Sequence, residues 1–286
     1  MTLIRTAWVT DSTAYLEEDL QNHPDLFTIP LTVLLDGKEY SDGIDLTSKQ
    51  LFEKLKQLKN PPLTSQPSVG AFQSLYEQLA KEYDQIVTVL ISGKLSGTVS
   101  SSNQAAKLVD IPVTTFDSQI LTYPMTALLK KGMELLASGH SIQSLVEQLK
   151  QMRDTNETYV LVGSLEQLHR GGRMSGLQFF LGSMLNVKPI ISIDNGALSV
   201  KEKVRGEKKA KEKILDYFRL AYEKNRFKEV YILYGLHKDQ ADEWRKQLEE
   251  QFPQVDIICC PLGAVIGVHA GENTLGISWF NGLQHN

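Results

Sequence analysis

Apolar positions along the chain fall into two alternating patterns: short β-branched runs, and longer stretches with apolar residues three and four apart. The short runs predict strands, first at Ala7–Val9, Phe27–Leu35, Ile86–Ile91 and Val113–Phe116. Between them, helical spacing appears at Tyr15–Leu20, Thr47–Lys59, Val69–Glu82 and Val99–Leu108, then twice in succession at Ile120–Ala137 and Ser141–Arg153. Asp36-Gly37 reads as a hairpin turn that returns through Lys38–Tyr40. Strands alternating with helices predict an α/β fold whose N-terminal part is a mostly parallel sheet flanked by helices. After Arg153 the rhythm changes. Strands are predicted at Tyr159–Val162, Ile190–Ile193, Leu198–Lys201, Glu229–Tyr234, Val255–Cys259 and Leu275–Phe280, with a hairpin turn at Asp194-Asn195-Gly196-Ala197. Helices are predicted at Leu177–Leu185, Glu207–Glu223 and Asp239–Gln251. The change of pattern near Thr155–Thr158 predicts two α/β domains, 1–157 and 158–286.

Composition narrows the class. With 286 residues, 42% apolar and 22% charged, the chain has material for a sizeable core. A net charge of −4 argues against general affinity for nucleic acid or anionic lipid surfaces. No apolar run approaches the ~18 residues of a membrane span, so stable membrane insertion is not expected. MTLIRTAWVTDST reads as a strand into a loop, without the apolar region of a signal peptide. The two cysteines, Cys259 and Cys260, are adjacent in a predicted strand and point to opposite faces, so a mutual disulfide is not expected. Together these features suggest a cytoplasmic protein.

The densest candidate chemistry is Ser92-Gly93-Lys94-Leu95-Ser96-Gly97-Thr98, between a strand and a helix. The first N–H groups of a helix have no intrahelical partner and carry partial positive charge, so such a turn can hold an anion. Ser96 is read either as a simple helix cap or as a donor to that anion. Thr10-Asp11-Ser12-Thr13 allows the same two readings, ligand loop or cap. Thr64-Ser65-Gln66 places three more polar side chains just ahead of a helix. Arg170, Arg173 and Arg205 lie in Gly-bearing loops and suit a carboxylate or phosphate, or simple surface ion pairs. Lys201–Lys213 holds seven basic and three acidic residues, a solvated face or a docking patch for an acidic partner. The helix 177–185 is apolar nearly all round, with Phe179, Phe180 and Met184, and so is core or the wall of an apolar ligand site. His269 sits among Gly and Ala, where a backbone can approach a ligand closely.

Several enzyme signatures are absent from the sequence. There is no GxxxxGK[ST] loop and no HExxH, and Ser96 has Lys94 and Thr98 where a GxSxG elbow needs glycines. Ser96 and His269 would still supply two members of a triad, which keeps a serine-dependent lipid or ester hydrolase open as the alternative.

Taken in order, Asp11-Ser12, Thr64-Ser65-Gln66-Pro67-Ser68, Ser92–Thr98, Gly172-Arg173-Met174 and His269-Ala270-Gly271 resemble the motif series of the DegV family across essentially the whole chain. That resemblance implies a two-lobed α/β fold with a long-chain fatty acid, such as palmitate, stearate or oleate, buried between the lobes. It implies no enzyme and no cofactor or metal: FakB-type members present the acid to a partner fatty acid kinase, FakA, which phosphorylates the carboxylate for phospholipid synthesis. By resemblance Thr64, Ser65, Ser96, Gly97 and His269 hold the carboxylate. Arg173 and Arg205 line the head-group entrance or meet the kinase, and Phe179, Phe180, Met184 and Ile266 are candidates for the apolar slot. Glu272-Asn273 stands where the family usually has Pro-Gly, and Val99 where an aromatic residue is common. Asn tolerates left-handed backbone, which suggests that the turn after Gly271 survives.

Overall fold

The computed structural model describes residues 4–174 and 187–282. The predicted apolar helix at 177–185, with Phe179, Phe180 and Met184, therefore lies outside the described residues.

Four strands, β1 (Thr6–Asp11), β2 (Leu26–Ile29), β6 (Gln85–Leu90) and β7 (Val113–Asp117), form a fully parallel sheet in the order β2-β1-β6-β7. Each buried strand divides its side chains by the period of two. Ala7, Val9, Ile86 and Leu90 pack under α3 (Val69–Leu79) and α4 (Thr98–Ala105). Trp8, Val87, Val89 and Ile91 face α5 (Thr122–Ala137) and α6 (Ile142–Arg153). Local signals set several helix starts: Thr47 forms a capping box with Gln50 at α2 (Ser48–Leu55), and Ser68 and Ser141 cap α3 and α6.

Two local expectations are corrected. The predicted strand Phe27–Leu35 is broken at Pro30, and its second part, β3 (Thr32–Leu35), joins a separate antiparallel sheet with β4 (Lys38–Ser41) and β5 (Leu63–Ser65). Proline has no N–H to give a ladder, so the chain leaves the parallel sheet there. The predicted helix Tyr15–Leu20 shrinks to one turn, α1 (Glu18–Gln21).

The second half is a six-stranded sheet in the order β10-β9-β8-β13-β11-β12. Its strands are β8 (Asn156–Leu161), β9 (Val187–Asp194), β10 (Ala197–Arg205), β11 (Glu229–Tyr234), β12 (Asp256–Pro261) and β13 (Leu275–Phe280). Only the β11–β12 pairing is parallel. The β9–β10 hairpin turns at Asn195 (φ 49°) and Gly196 (φ 84°), the left-handed pair that such a tight turn needs. One face is covered by α8 (Glu207–Asn225) and α9 (Lys238–Gln251), through Ile214, Phe218, Trp244 and Leu248. The other face looks toward the first half.

No described strand is shared between the segments before and after residue 155, yet the two halves share core. Tyr231, Leu233, Cys260 and Phe280 belong to the same buried cluster as Trp8, Met125 and Leu149. The small-residue segment around His269, to which the sequence assigned no element, is helix α10 (Ala264–Ala270), preceding Gly271. Its small residues serve packing: a Cβ at Gly267 would stand 3.0 Å from the Phe52 ring on α2. Asp42 draws α10 in further. Its carboxylate, 2% exposed, accepts the Ala264 N–H at 2.9 Å and the Ser12 hydroxyl at 3.0 Å.

Candidate functional site

β6 delivers the chain to the Ser92–Gly97 turn. The Ile91 N–H donates to the Asp11 carboxylate at 2.7 Å, and Asp11 also accepts the Thr13 N–H and hydroxyl. Burial pushes the Asp11 carboxyl above its usual range against those three donors. Thr10–Thr13 is thus neither a ligand loop nor a helix cap but a buried tie between strand ends. The turn itself is locked from the second half, where the Gly196 carbonyl accepts the Ser92 hydroxyl at 2.7 Å. Gly97, not Ser96, occupies the N-cap of α4 and provides no side-chain cap. The Ser96 hydroxyl shares a hydrogen bond with the Thr98 hydroxyl at 2.8 Å. Gly97 gives the Gln66 side chain room: a Cβ there would stand 2.9 Å from its nitrogen and push it aside.

β5 brings Thr64 to the same place through its pairing with β3. The Thr64 hydroxyl lies 2.7 Å from Nε2 of His269, in the last turn of α10. Nδ1 of His269 is buried without a partner among the described residues. Burial, and secondarily the Arg173 charge, lower the His269 pKa to about 4, so the ring is neutral at physiological pH. Arg173 joins the halves: its Nε donates to the Leu95 carbonyl at 3.2 Å and its guanidinium also to the Gly171 carbonyl. Burial lowers the Arg173 pKa as well.

These groups stand at one side of a cavity between the halves. The first half contributes Thr64, Ser65, Gln66 and Ser96, with Leu31, Ile91, Leu95 and Leu121. The second half lines it with alternate residues of its strands, Val160 and Val162, then Ile191 and Ile193, and with Leu198, Leu233, Leu262, Val265, Ile266 and Ala270. The wall's hydroxyls are already satisfied. Thr158 bonds Asn156 and Ser278, and Thr274 bonds the Ala270 and Gly271 carbonyls. A more polar hollow, bounded by Lys94, Gly172 and Ala197, shares Leu95, Ser96, Arg173 and Leu198 with the cavity. Among the described residues no group of three or more His, Cys, Asp or Glu side chains is placed to hold a metal.

Of the residues expected at the site, Thr64, Ser65, Ser96, His269, Arg173 and Ile266 line this cavity, and Gly97 lines the adjoining hollow. Arg205 does not join them. It is exposed at the far end of β10, roughly 26 Å of strand from Ala197, so the extended hairpin carries it away from the expected head-group entrance. The triad geometry for hydrolysis is not assembled either. Ser96 is paired with Thr98, His269 with Thr64, and no described carboxylate meets His269 Nδ1. The turn beyond α10 persists, but by a different device from the one expected. Gly271 (φ 87°) takes the left-handed position, not Asn273, and the Glu272 carbonyl accepts the Leu236 N–H at 2.8 Å.

Two contributors escaped the sequence reading. The alternate apolar positions of β8 and β9 carry a period-two signal that could have marked them as a cavity wall. Asp42, before Gly43 (φ 77°), looks like an ordinary surface turn, and nothing local signals that it is buried against α10.

Fold and site together define a three-sheet α/β protein with an internal apolar cavity that ends in hydroxyls, a neutral histidine and Arg173. The chain belongs to the DegV family, whose model, described as "Uncharacterised protein, DegV family", matches residues 5–282. It is 36% identical over 275 residues to Protein DegV of Bacillus subtilis, covering 96% of this chain and 98% of that one. The Bacillus subtilis structure, described as DegV, a fatty acid binding protein, superposes with a TM-score of 0.89 at 34% identity, over 98% of this chain and 100% of that one. A DegV family protein from Thermus thermophilus, described by its fatty acid binding, gives a TM-score of 0.90 at 35% identity, over 97% and 100% of the two chains.

Proposed function

We propose that the chain is a cytoplasmic carrier that binds a long-chain fatty acid in the inter-half cavity and presents its carboxylate to a partner fatty acid kinase. The observation that carries the reading is the division of one cavity into an apolar wall and a terminus of hydroxyls with a neutral histidine. An acyl chain of ~16 methylenes at about 0.8 kcal/mol each gains of order 10 kcal/mol gross before ordering costs. The fatty acid binding described for the Bacillus and Thermus relatives supports the same ligand class.

The carboxylate is held by Thr64, Ser65 and Ser96, with His269 behind Thr64 and the uncapped N-terminus of α4 beside Gly97 adding its dipole. Hydroxyls and a neutral imidazole hold the acid by hydrogen bonds, while the guanidinium of Arg173 is tied to the Leu95 and Gly171 carbonyls, which leaves the carboxylate oxygens free for transfer chemistry. Arg173, at the boundary between cavity and outer hollow, is placed to meet an incoming phosphoryl group. Nucleotide and metal belong to the kinase in this reading.

Native mass spectrometry of the purified protein, followed by organic extraction, tests it. The expected result is one C14–C18 fatty acid per chain, released intact on denaturation. A protein that arrives empty and takes up none of these acids would overturn the reading. Fluorophosphonate labelling of Ser96 would instead favour the hydrolase.

A further inference from the structure

His269 is held from both sides: Nε2 meets the Thr64 hydroxyl, and Nδ1 lies against Gly171. Gly171 closes α7 (Leu165–Arg170) with φ −72° and ψ −4°, a conformation open to any residue. Its lack of a side chain therefore serves space and not backbone freedom. A Cβ at 171 would overlap Nδ1 of His269 and stand 2.7 Å from Cε1. The Gly171 carbonyl also accepts a hydrogen bond from Arg173, whose Nε reaches across to Leu95. One residue thus sets both the imidazole and the guanidinium.

We propose that Gly171 is the positioning residue for His269: it seats Nδ1 as a bare, unprotonated nitrogen against its own Cα and so fixes the Nε2–H tautomer. A proton on Nδ1 would be a buried donor with nothing to receive it, since that atom has no partner among the described residues. The proton therefore sits on Nε2 and is donated to the Thr64 oxygen 2.7 Å away. With its oxygen occupied as an acceptor, Thr64 turns its own proton outward. The chain of donors runs His269 to Thr64 to the ligand, and it is set by the absence of one methyl group.

The inference rests on the fatty acid reading for its ligand but not for its geometry, and the test separates the two. ¹⁵N spectra of the wild-type imidazole at pH 7.5 are expected to show Nε2 protonated and Nδ1 bare; a protonated Nδ1 would overturn the proposal whether or not any variant folds. In Gly171→Ala the two nitrogen resonances should move while circular dichroism stays unchanged. Affinity for ¹³C-oleate should fall roughly tenfold, the loss of one hydrogen bond to a charged group. Added to His269→Ala, the same substitution should change affinity by less than about twofold. Equal losses in both backgrounds, or unmoved resonances in Gly171→Ala, would refute the assignment. If the wild type binds no oleate at all, the ligand reading fails while the ¹⁵N result still decides the role of Gly171.

Discussion

The two halves contribute opposite things to one cavity. The first half gives hydroxyls from the turn where parallel strand β6 ends before α4, and from β5 of its small antiparallel sheet. The second half lays mainly antiparallel strands alongside the site and gives alternate aliphatic side chains, its polar share being His269 from α10 and Arg173 from the turn after α7. The topology accounts for the difference. Parallel strands deliver every C-terminal end to the same edge, next to helix N-termini, where polar ligands gather. A mainly antiparallel sheet with helices on one face keeps its other face free to become an apolar wall. Neither half holds the complete set, so the site exists only where they meet.

Breaking the wall should cost most. Ile266→Glu places a carboxylate in the apolar lining and should weaken oleate binding by roughly a thousandfold or more; retained binding in a titration at pH 7.5 would show that the wall is not the acyl slot. His269 tests the polar end through pH. Its pKa falls from 6.5 to about 4 on folding, so its neutral form contributes stability above pH 6.5 that is lost as pH falls toward 4, of order 3 kcal/mol in all. Asp42 runs the other way: burial raises it from 3.8 to about 6, which favours folding at low pH and fades as pH rises through 6. Denaturant titrations of wild type and His269→Ala between pH 4 and 7 should therefore differ in slope, and parallel curves would contradict the buried neutral ring.

Thr64→Val sharpens the comparison within the polar end. It removes the hydroxyl and strands Nε2 of His269, and it should cost about 2 kcal/mol of affinity by calorimetry. Ser96→Ala should cost less, about 1 kcal/mol, because Thr98 retains a hydroxyl beside the same helix end; a loss larger than that of Thr64→Val would reverse the order of the two donors. Arg173→Ala should leave fatty acid affinity within about threefold yet slow phosphorylation by the kinase, while Arg205→Ala leaves binding unchanged. Normal turnover with Arg173→Ala would remove the arginine from the presenting role.

Much of this was legible from residue order. Strands with a strict apolar core, such as Glu229–Tyr234 and Leu275–Phe280, lie at their expected residues because burial on both faces leaves the pattern no alternative. The strand-turn-helix at Ser96 and the hydroxyls before α3 were visible for the same local reason. What stayed hidden was long-range. That Thr64 would meet His269, 205 residues later, depends on β5 pairing with β3 and on α10 packing against α2. The helix α10 itself was concealed because its Gly and Ala residues carry little helical signal until Phe52 supplies the surface they fit. Arg205 stands away from the cavity because β10 runs on to residue 205 instead of ending near 201.

The placement of β13 has a consequence for how the protein is made. It lies between β8 and β11, strands that precede it in the chain, and pairs with both. Until residue 280 has left the ribosome, β8 and β11 each present an unpaired edge and the six-stranded sheet stays in two pieces. The wall that would close over an acyl chain is therefore assembled last. A nascent chain carries an open, apolar surface during that interval, and lipid arriving then would meet a protein not yet able to enclose it.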